Sequence, residues 1–331
     1  MEMIKIFCIK RTILQQMDAG ERMKYSKKMQ EVSIPALAAQ LRADPAGVVQ
    51  LQETTYHNHI LEVCDEAVTQ NKHLLLLTGP SGSGKTTTAI KILNELARRG
   101  KKVDRISLDN FYKDDKDLPF WSDGFKNYES IDAMDVACFH ETIRTLTATG
   151  TAQFPLYDFA HSARRTDTFT VHYDEETYLI FEGIHALNPV LCEHLHDDNI
   201  LRIYVSTHSD FVDAQGEVVL KAKNLRLMRR MLRDYQHRDA PVRETLDLWE
   251  YVLRGAQLYI KPFRKFADIH INSAHSYEPA LYRDSLLRLL EEYRHDEKYG
   301  ELVQTLIHAV EPLPSLSAEQ IPADSLIREF I

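Results

Sequence analysis

The chain has 331 residues, of which 44% are hydrophobic and 27% are charged, a composition typical of a globular protein with one large α/β domain or two modest ones. Its formal net charge of −9 disfavours general binding to nucleic acid. The sequence has no apolar run near the roughly 20 residues that span a bilayer, no CxxC pair and no signal-peptide core. We therefore expect a cytoplasmic protein that binds neither nucleic acid nor membranes.

Residues 1–70 predict a mostly helical N-terminal appendage. Helical spacing of apolar residues is seen in MKYSKKMQEV (23–32), IPALAAQLRA (34–43) and YHNHILEVCDEAV (56–68), with a break near Asp44–Pro45. We find no motif in this region that carries chemistry. The sequence therefore leaves its role open.

From residue 73 onwards, short apolar runs alternate with helical stretches. The runs are HLLLLT (73–78), KVDRISL (102–108), YLIFEG (178–183), ILRIYVS (200–206) and ADIHINS (267–273). Such runs predict buried strands of a parallel sheet that helices cover on both faces. TDTFTVHY (166–173) alternates polar and apolar residues and predicts an antiparallel or edge strand.

Two further segments follow the last predicted strand. Residues 278–294 have the apolar spacing of an amphipathic helix. The residues from 311 onwards contain three prolines, and we expect them to wrap around the surface.

The segment GPSGSGKT (79–86) matches the phosphate-binding pattern GxxxxGK[ST] and lies between a predicted strand and a predicted helix. A glycine-rich turn with an incidental lysine is the alternative, which this setting disfavours. Lys85 would reach the β- and γ-phosphates, and the Thr86 hydroxyl would coordinate Mg²⁺. We expect the nucleotide to contact Gly79, Ser81, Gly82, Ser83, Gly84, Lys85, Thr86 and Thr87. GTPases read their base with an NKxD motif, and none follows the P-loop here. The remaining candidate classes are phosphoryl transferases and other small NTPases.

Two acidic residues end predicted strands on the same side as the P-loop. Asp109 follows KVDRISL, and Glu182 follows YLIF. In such a sheet, ligands gather at the carboxyl ends of the strands. One carboxylate can hold a metal ion while another accepts a proton from an attacking hydroxyl. The alternatives are an Asx turn at Asp109 and a surface acid at Glu182.

An arginine cluster lies on a predicted helix. Arg226, Arg230 and Arg233 share one helical face, and Arg229 lies beside them. Helical arginines are usually solvated or paired. Asp234 is the nearest acid within the cluster, so we expect the four arginines to face a polyphosphate and to exclude water from it.

Five motifs in order resemble the uridine kinase and phosphoribulokinase family, namely ISLDNFYKDD, NYESIDAMD, PLYDFAHSARR, IFEGIHAL and RLMRRMLRDYQHR. The resemblance runs from about residue 71 to 274 and is closest to bacterial uridine kinase-like proteins with an additional N-terminal region. It implies a P-loop NTPase-type three-layer α/β/α domain with a mainly parallel sheet over 71–296. An arginine-rich lid would lie around 224–245, and a C-terminal tail, 297–331, would pack on this domain.

The resemblance also assigns roles to matching positions. Asp109 falls on the acid that activates the acceptor hydroxyl. The metal ligands would be Thr86, Asp109 and Glu182. Glu129 falls where an aspartate binds ribose hydroxyls, and Tyr157 falls on an aromatic residue that holds the nucleoside. Catalytic charge stabilisation would come from Lys85, Arg230 and Arg233. The remaining acceptor contacts would come from His161, Arg164 and Arg238.

Three positions depart from the family pattern. Ser162 stands at the histidine position, Ala240 at the second lid arginine and Leu248 near the base-facing glutamine. These groups recognise the pyrimidine, so the machinery of phosphoryl transfer is better supported than the identity of the acceptor.

The resemblance therefore implies an ATP- and Mg²⁺-dependent kinase of a nucleoside-like acceptor, with uridine or cytidine as the first candidate. One alternative is a kinase of a sugar phosphate or another small hydroxyl metabolite. A second is a regulator that binds ATP without efficient turnover. The family also implies that the chain can form a homo-oligomer.

Overall fold

The computed structural model describes residues 29–159, 161–193, 195 and 197–331. Of the predicted helix at 23–32, residues 23–28 lie outside these ranges. Within them, no helix is long and apolar enough to cross a membrane.

The described residues up to 182 form six strands and four α-helices, with a 3₁₀ turn at Leu108–Phe111. In chain order these are β1 (Gln30–Ser33), α1 (Ile34–Ala43), α2 (Pro45–Thr69), β2 (Leu74–Thr78), α3 (Lys85–Arg98), β3 (Lys102–Ser107), α4 (Val136–Thr149), β4 (Thr151–Asp158), β5 (Ala163–His172) and β6 (Thr177–Glu182).

The second half continues with α5 (Pro189–Cys192), β7 (Ile200–Ser206), β8 (Ser209–Val212), β9 (Val218–Leu220), α6 (Ala222–His237), α7 (Val242–Gly255), β10 (Ile269–Asn272), α8 (Glu278–Leu290) and α9 (Gly300–Val310). A π-helix, Ala256–Ile260, and a 3₁₀ helix, Lys261–Phe266, lie between α7 and β10.

The centre of the molecule is a five-stranded parallel sheet with the order β10-β7-β2-β6-β3. The five predicted buried strands are confirmed, because each one is a strand of this sheet. β5 pairs antiparallel with β4 in a separate hairpin, as the alternation in 166–173 indicates. A third, smaller sheet has the order β1-β8-β9.

Alternate residues of the central strands enter two different cores. On β2, Leu75 and Leu77 belong to one hydrophobic cluster, whereas Leu74 and Leu76 belong to the cluster on the opposite face. Successive strand side chains point to opposite faces, so a continuous apolar run is buried only when both faces are covered. The fold is therefore the predicted three-layer α/β/α arrangement.

The helices of the N-terminal region share a core with the sheet. Ile60 and Val63 of α2 are 1% and 0% exposed and lie in the same cluster as Leu75. Asp44 caps α2, since its Oδ1 accepts a hydrogen bond of 2.9 Å from the Gly47 N–H. This cap explains the predicted break between the two helices.

The helix prediction is wrong at the end of 23–32. Gln30–Ser33 forms β1, which pairs in parallel with β8. A segment of four residues contains only one turn of helical periodicity, so pairing with a neighbouring strand decides its conformation.

The predicted helix at 278–294 is confirmed as α8, followed by a 3₁₀ turn at Glu291–Tyr293. The last residues of the chain do more than wrap the surface. Leu326, Ile327 and Phe330 are each 0% exposed and belong to the cluster that contains α2 and α3. The C-terminal segment therefore forms part of the core behind the P-loop.

Candidate active site

The P-loop joins β2 to α3, and its backbone requires glycine. Gly82 and Gly84 have φ angles of +76° and +79°, a region that favours glycine. A Cβ atom on Gly79 would lie 2.1 Å from the carbonyl oxygen of Val205. The loop therefore closes tightly at the N-terminus of α3, where backbone N–H groups and the helix dipole favour a phosphate.

The side chains of the P-loop are placed differently from one another. Thr86 is exposed, while Ser83 is buried and its Oγ has no hydrogen-bond partner among the described residues. Thr87 donates a hydrogen bond from its Oγ1 to Glu329 Oε2 at 2.6 Å. The interaction of the loop with the C-terminal segment could not be predicted from the motif.

The structure brings Asp109, Glu182 and Lys85 together. Asp109 lies on the 3₁₀ turn after β3, and Glu182 is the last residue of the neighbouring β6, opposite Ser107. Burial and, to a smaller extent, the charge of Glu182 raise the pKa of Asp109 to about 7, while the charge of Lys85 opposes the shift. A carboxylate with this pKa can accept a proton near neutral pH.

Glu182 has a partner that the sequence analysis missed. Arg105 Nη1 lies 2.9 Å from Glu182 Oε1, and the Glu182 side chain is 4% exposed. Arg105 is only partly exposed on β3, and a partly buried cation next to a sheet edge usually has an acidic partner. The ion pair fixes Glu182 at the edge of the sheet.

Glu129 is held beside the P-loop by the end of α7. A Cβ atom on Gly255 would lie 2.3 Å from the Glu129 Cβ, so only glycine permits this approach. Burial raises the pKa of Glu129, whereas Arg230, Lys85 and Arg226 lower it. Its Oε2 is buried and has no partner within the described ranges, so it can accept hydrogen bonds from a ligand.

An aromatic group lies next to these acids. The ring centroids of Tyr112 and Tyr157 are 5.9 Å apart, and those of Tyr157 and Phe159 are 4.9 Å apart. The Tyr157 N–H donates to Asn110 Oδ1 at 3.2 Å, which links β4 to the turn that carries Asp109. Tyr112 was not among the predicted site residues, although it belongs to the same motif as Asp109.

The basic residues of the β4–β5 hairpin have acidic partners. His161 Nδ1 lies 2.7 Å from Asp158 Oδ2, with the His161 side chain 81% exposed. Arg164 Nη1 lies 3.2 Å from Asp135 Oδ2. These carboxylates compete with an acceptor for the N–H groups of His161 and Arg164.

Asp234 forms ion pairs with three arginines of the predicted lid and offsets part of their charge. It pairs with Arg230 at 3.2 Å, with Arg233 at 2.9 Å and with Arg238 at 3.3 Å. Arg230 also donates from Nη1 to the Ser81 Oγ at 3.2 Å. Arg230 is thus in contact with the P-loop, while Arg238 is 58% exposed.

The expectation that Arg229 faces a polyphosphate is wrong. Its side chain is 0% exposed and pairs with Glu278, whose side chain is also 0% exposed, at 2.6 Å. Arg229 also donates to the carbonyl oxygen of Gly82 at 3.2 Å, so it supports the P-loop from behind. Its partner lies 49 residues away in the sequence, on α8, and only the packing reveals it.

Two of the three departures from the family pattern line one cavity. Ala240 and Leu248 border a cavity of about 260 Å³ together with Arg230, Arg238 and Thr245. The third, Ser162, has a φ angle of +49° in the β4–β5 turn. The lid region therefore contains an open volume where larger polar side chains were expected.

The oxygen groups near the P-loop suit a divalent cation. Thr86 offers a hydroxyl and Asp109 and Glu182 offer carboxylates, the ligand type that Mg²⁺ prefers. The repulsion that raises the pKa of Asp109 is the kind that a bound cation relieves. These three residues would hold the metal together with phosphate oxygens.

Two protein-family models match parts of the sequence. Residues 74–278 match the family model of the Phosphoribulokinase / Uridine kinase family. A model of the Type II/IV secretion system protein matches residues 36–107. The shorter match takes in the P-loop, which many nucleotide-binding proteins share.

Curated relatives align over most of their own length. A uridine kinase from Clostridium botulinum (strain Langeland / NCTC 10281 / Type F) is 30% identical over 199 residues, 60% of this chain and 86% of the relative. A uridine kinase from Macrococcus caseolyticus (strain JCSC5402) is 31% identical over 196 residues, 59% of this chain and 85% of the relative. A solved D-glycerate 3-kinase structure from Cryptococcus neoformans var. grubii aligns with 63% of this chain and 88% of its own, at 14% identity and a TM-score of 0.42.

Proposed function

The chain belongs to the phosphoribulokinase and uridine kinase family, and from this premise we propose that it transfers the γ-phosphoryl group of ATP to a hydroxyl of a nucleoside-like acceptor, with Asp109 as the general base. The chain is a kinase by its family. We propose three further points: the class of acceptor, ATP as the phosphoryl donor, and Asp109 as the general base.

The raised pKa of Asp109 beside Lys85 and the P-loop carries this proposal. Asp109 takes the proton of the acceptor hydroxyl, the oxygen forms a bond to the γ-phosphorus, and the bond from that phosphorus to the β-bridging oxygen breaks to release ADP. A positioned base contributes about 10²- to 10⁴-fold to such a rate.

Neighbouring residues bind and orient the two substrates. Glu129 offers a buried carboxylate oxygen to the hydroxyls of the acceptor. Tyr157 offers an aromatic face to the nucleobase of the acceptor. Lys85 and Arg230 stabilise the charge on the phosphates from the P-loop side. When bound, Mg²⁺ at Thr86, Asp109 and Glu182 neutralises phosphate charge.

The test measures ADP release from ATP with a panel of acceptors that includes uridine, cytidine and a pentose 5-phosphate. We expect uridine or cytidine to stimulate release, and Asp109→Asn to lower kcat by at least about 10²-fold while ATP affinity changes little. Asp104→Asn, an exposed change on the same β3, is the control and should retain activity. Full activity in Asp109→Asn would reject Asp109 as the base.

A second candidate acceptor is a sugar phosphate or another small phosphorylated hydroxyl compound. It is favoured by Ala240 and Leu248, which leave the lid cavity without the expected polar side chains. Stimulation by a pentose 5-phosphate and not by nucleosides would select this candidate. ATP binding without stimulation by any acceptor would instead support a regulator that binds ATP.

A further inference from the structure

A cavity lies at the irregular connection between α7 and β10. The π-helix Ala256–Ile260 runs directly into the 3₁₀ helix Lys261–Phe266. This connection places Gln257, Lys261, Pro262 and Arg264 around a cavity of about 410 Å³. A π-helix is less stable than an α-helix and is found frequently at functional sites, which directs attention to what the cavity holds.

The cavity carries positive charge that is not neutralised. Lys261 and Arg264 line the cavity, and in the part of the chain that the structure describes no ion pair joins either of them to a carboxylate. Lys261 is largely exposed, yet partial loss of solvent around its ammonium group lowers its pKa, and the charges of Arg226, Arg264 and Lys223 lower it further. The lid arginines differ, because Asp234 pairs with several of them.

Arg226 connects this cluster to the P-loop. Its Nε donates to the carbonyl oxygen of Ser81 at 2.8 Å, and its guanidinium lies over the Trp249 ring, 5.3 Å from the centroid. The residue is 4% exposed, and its Nη2 is buried with no partner within the described ranges. Arg226 therefore lies at the P-loop, and its charge acts on Lys261, which lines the cavity.

We propose that the cavity lined by Gln257, Lys261 and Arg264 binds the phosphate group of a small molecule, at a site separate from the P-loop. Ammonium and guanidinium groups around one cavity match the several oxygens and the charge of a phosphate. The phosphate can come from two sources, a phosphorylated acceptor or a free regulatory anion. The binding site itself does not depend on which acceptor the kinase uses.

The binding test uses inorganic phosphate and the full chain. The P-loop is first saturated with a non-hydrolysable ATP analogue and Mg²⁺, and phosphate binding is then measured by isothermal titration calorimetry. We expect wild type to bind phosphate and the double variant Lys261→Ala/Arg264→Ala to bind it about tenfold or more weakly, since two charge-assisted contacts are lost. Both residues are exposed, so the variant should fold.

The matched control is Lys265→Ala/Arg288→Ala, which removes the same charge at exposed positions outside the cavity. It should bind phosphate as wild type does. Equal weakening in both double variants would show a general charge effect and overturn the proposal. Absence of phosphate binding to wild type, or undiminished binding in Lys261→Ala/Arg264→Ala, would also overturn it.

Two kinetic measurements distinguish a phosphorylated acceptor from a free regulatory anion as the source of the phosphate. Both measurements rest on the proposed function. For an acceptor subsite, the cavity variant raises the KM of a pentose 5-phosphate about tenfold or more and leaves the KM of uridine unchanged. For a regulatory site, inorganic phosphate changes the rate of wild type and of the control variant but not of the cavity variant. If no acceptor is phosphorylated, the proposed function fails, while the calorimetric result still decides whether the cavity is a phosphate site.

Discussion

Thr87 and Glu329, separated by 242 positions in the sequence, are joined by a hydrogen bond of 2.6 Å in which the threonine hydroxyl donates to the carboxylate. Thr87 directly follows the P-loop, and Glu329 is the third residue from the end of the chain. Beside this bond, Leu326 packs on Gly84 and Phe330 covers the Arg229 guanidinium at 4.8 Å. The C-terminal segment therefore supports the phosphate-binding loop.

Removal of the Glu329 carboxylate should weaken nucleotide binding. We expect Glu329→Ala to raise the KM of ATP about fivefold, since a lost hydrogen bond costs roughly 1 kcal/mol, with a smaller change in kcat. Glu329→Gln keeps an oxygen that can accept from Thr87 and should stay nearer to wild type. Glu319→Ala, an exposed change in the same segment, is the control. Equal KM values in Glu329→Ala and wild type would show that the bond does not support the loop.

Gly84 should tolerate no side chain. A Cβ atom there would lie 2.6 Å from Leu326 Cδ1, and the φ angle of +79° adds strain for any other residue. We expect Gly84→Ala to abolish detectable ATP binding in calorimetry. Leu326→Ala in the same chain should restore part of it, because it relieves the contact but not the strain.

Gly100→Ala is the control that introduces backbone strain without a steric contact. Gly100 has a φ angle of +77°, but a Cβ atom there would have open space around it. We expect it to cost about 1 kcal/mol of stability and to leave ATP binding intact. A comparable loss of ATP binding in Gly100→Ala would contradict the explanation from the local contact.

The buried pair of Arg229 and Glu278 should contribute strongly to stability. Arg229→Met leaves the Glu278 charge buried without its partner, and we expect a loss of about 3–5 kcal/mol in the free energy of unfolding. Adding Glu278→Leu should recover part of this loss. Urea unfolding of the single and double variants measures both values.

The exposed pair of Arg294 and Glu291 offers the comparison. Arg294→Met should cost less than about 1 kcal/mol, because solvent screens such a pair. Similar losses at the two sites would argue against the special weight that we give to burial.

Asp109 should lower the stability of the protein at neutral and alkaline pH. Its pKa in the folded protein is about 7, whereas an unfolded aspartate has a pKa near 3.9. The folded state therefore favours the protonated form, so Asp109 lowers the stability progressively as the pH rises from about 4 to 7, and this cost is constant above pH 7. We expect Asp109→Asn to be more stable than wild type by about 4 kcal/mol at pH 8 and nearly equal to it near pH 4. Urea unfolding at both pH values tests this, and equal stability at pH 8 would argue against a buried carboxylate.

Arg105 should tune the base through its charge. Arg105 lowers the pKa of Asp109 and pairs with Glu182. Because Arg105→Met removes a cation, the acidic limb of the pH profile of kcat/KM should move to higher pH. Lys102→Met on the same strand, where Lys102 pairs with Asp174, is the control and should leave the profile in place. If the acidic limb of the kcat/KM profile does not move in Arg105→Met, the ionisation of Asp109 does not control that limb.

The features that the sequence predicted depend on local order. β2 and β6 are continuous apolar runs, and the P-loop is a fixed spacing of glycines, a lysine and a threonine. Strand periodicity and turn chemistry act over a few neighbouring residues, so they can be read without the fold. The positions of Asp109 and Glu182 near the P-loop followed from this, because parallel strands end at one edge of the sheet.

The tertiary structure decided the partners of long and charged side chains. From the sequence, Arg229 resembled the other arginines of α6, yet in the folded protein it pairs with Glu278 on α8. Likewise, the strand at Gln30–Ser33 exists because β8 lies beside it, and Glu329 meets Thr87 because the last turn of the chain enters the core. Side-chain pairing depends on which elements pack together, and this packing brings together residues far apart in the chain. Local sequence specifies the elements and the phosphate loop, whereas the choice of which charges meet belongs to the packed structure.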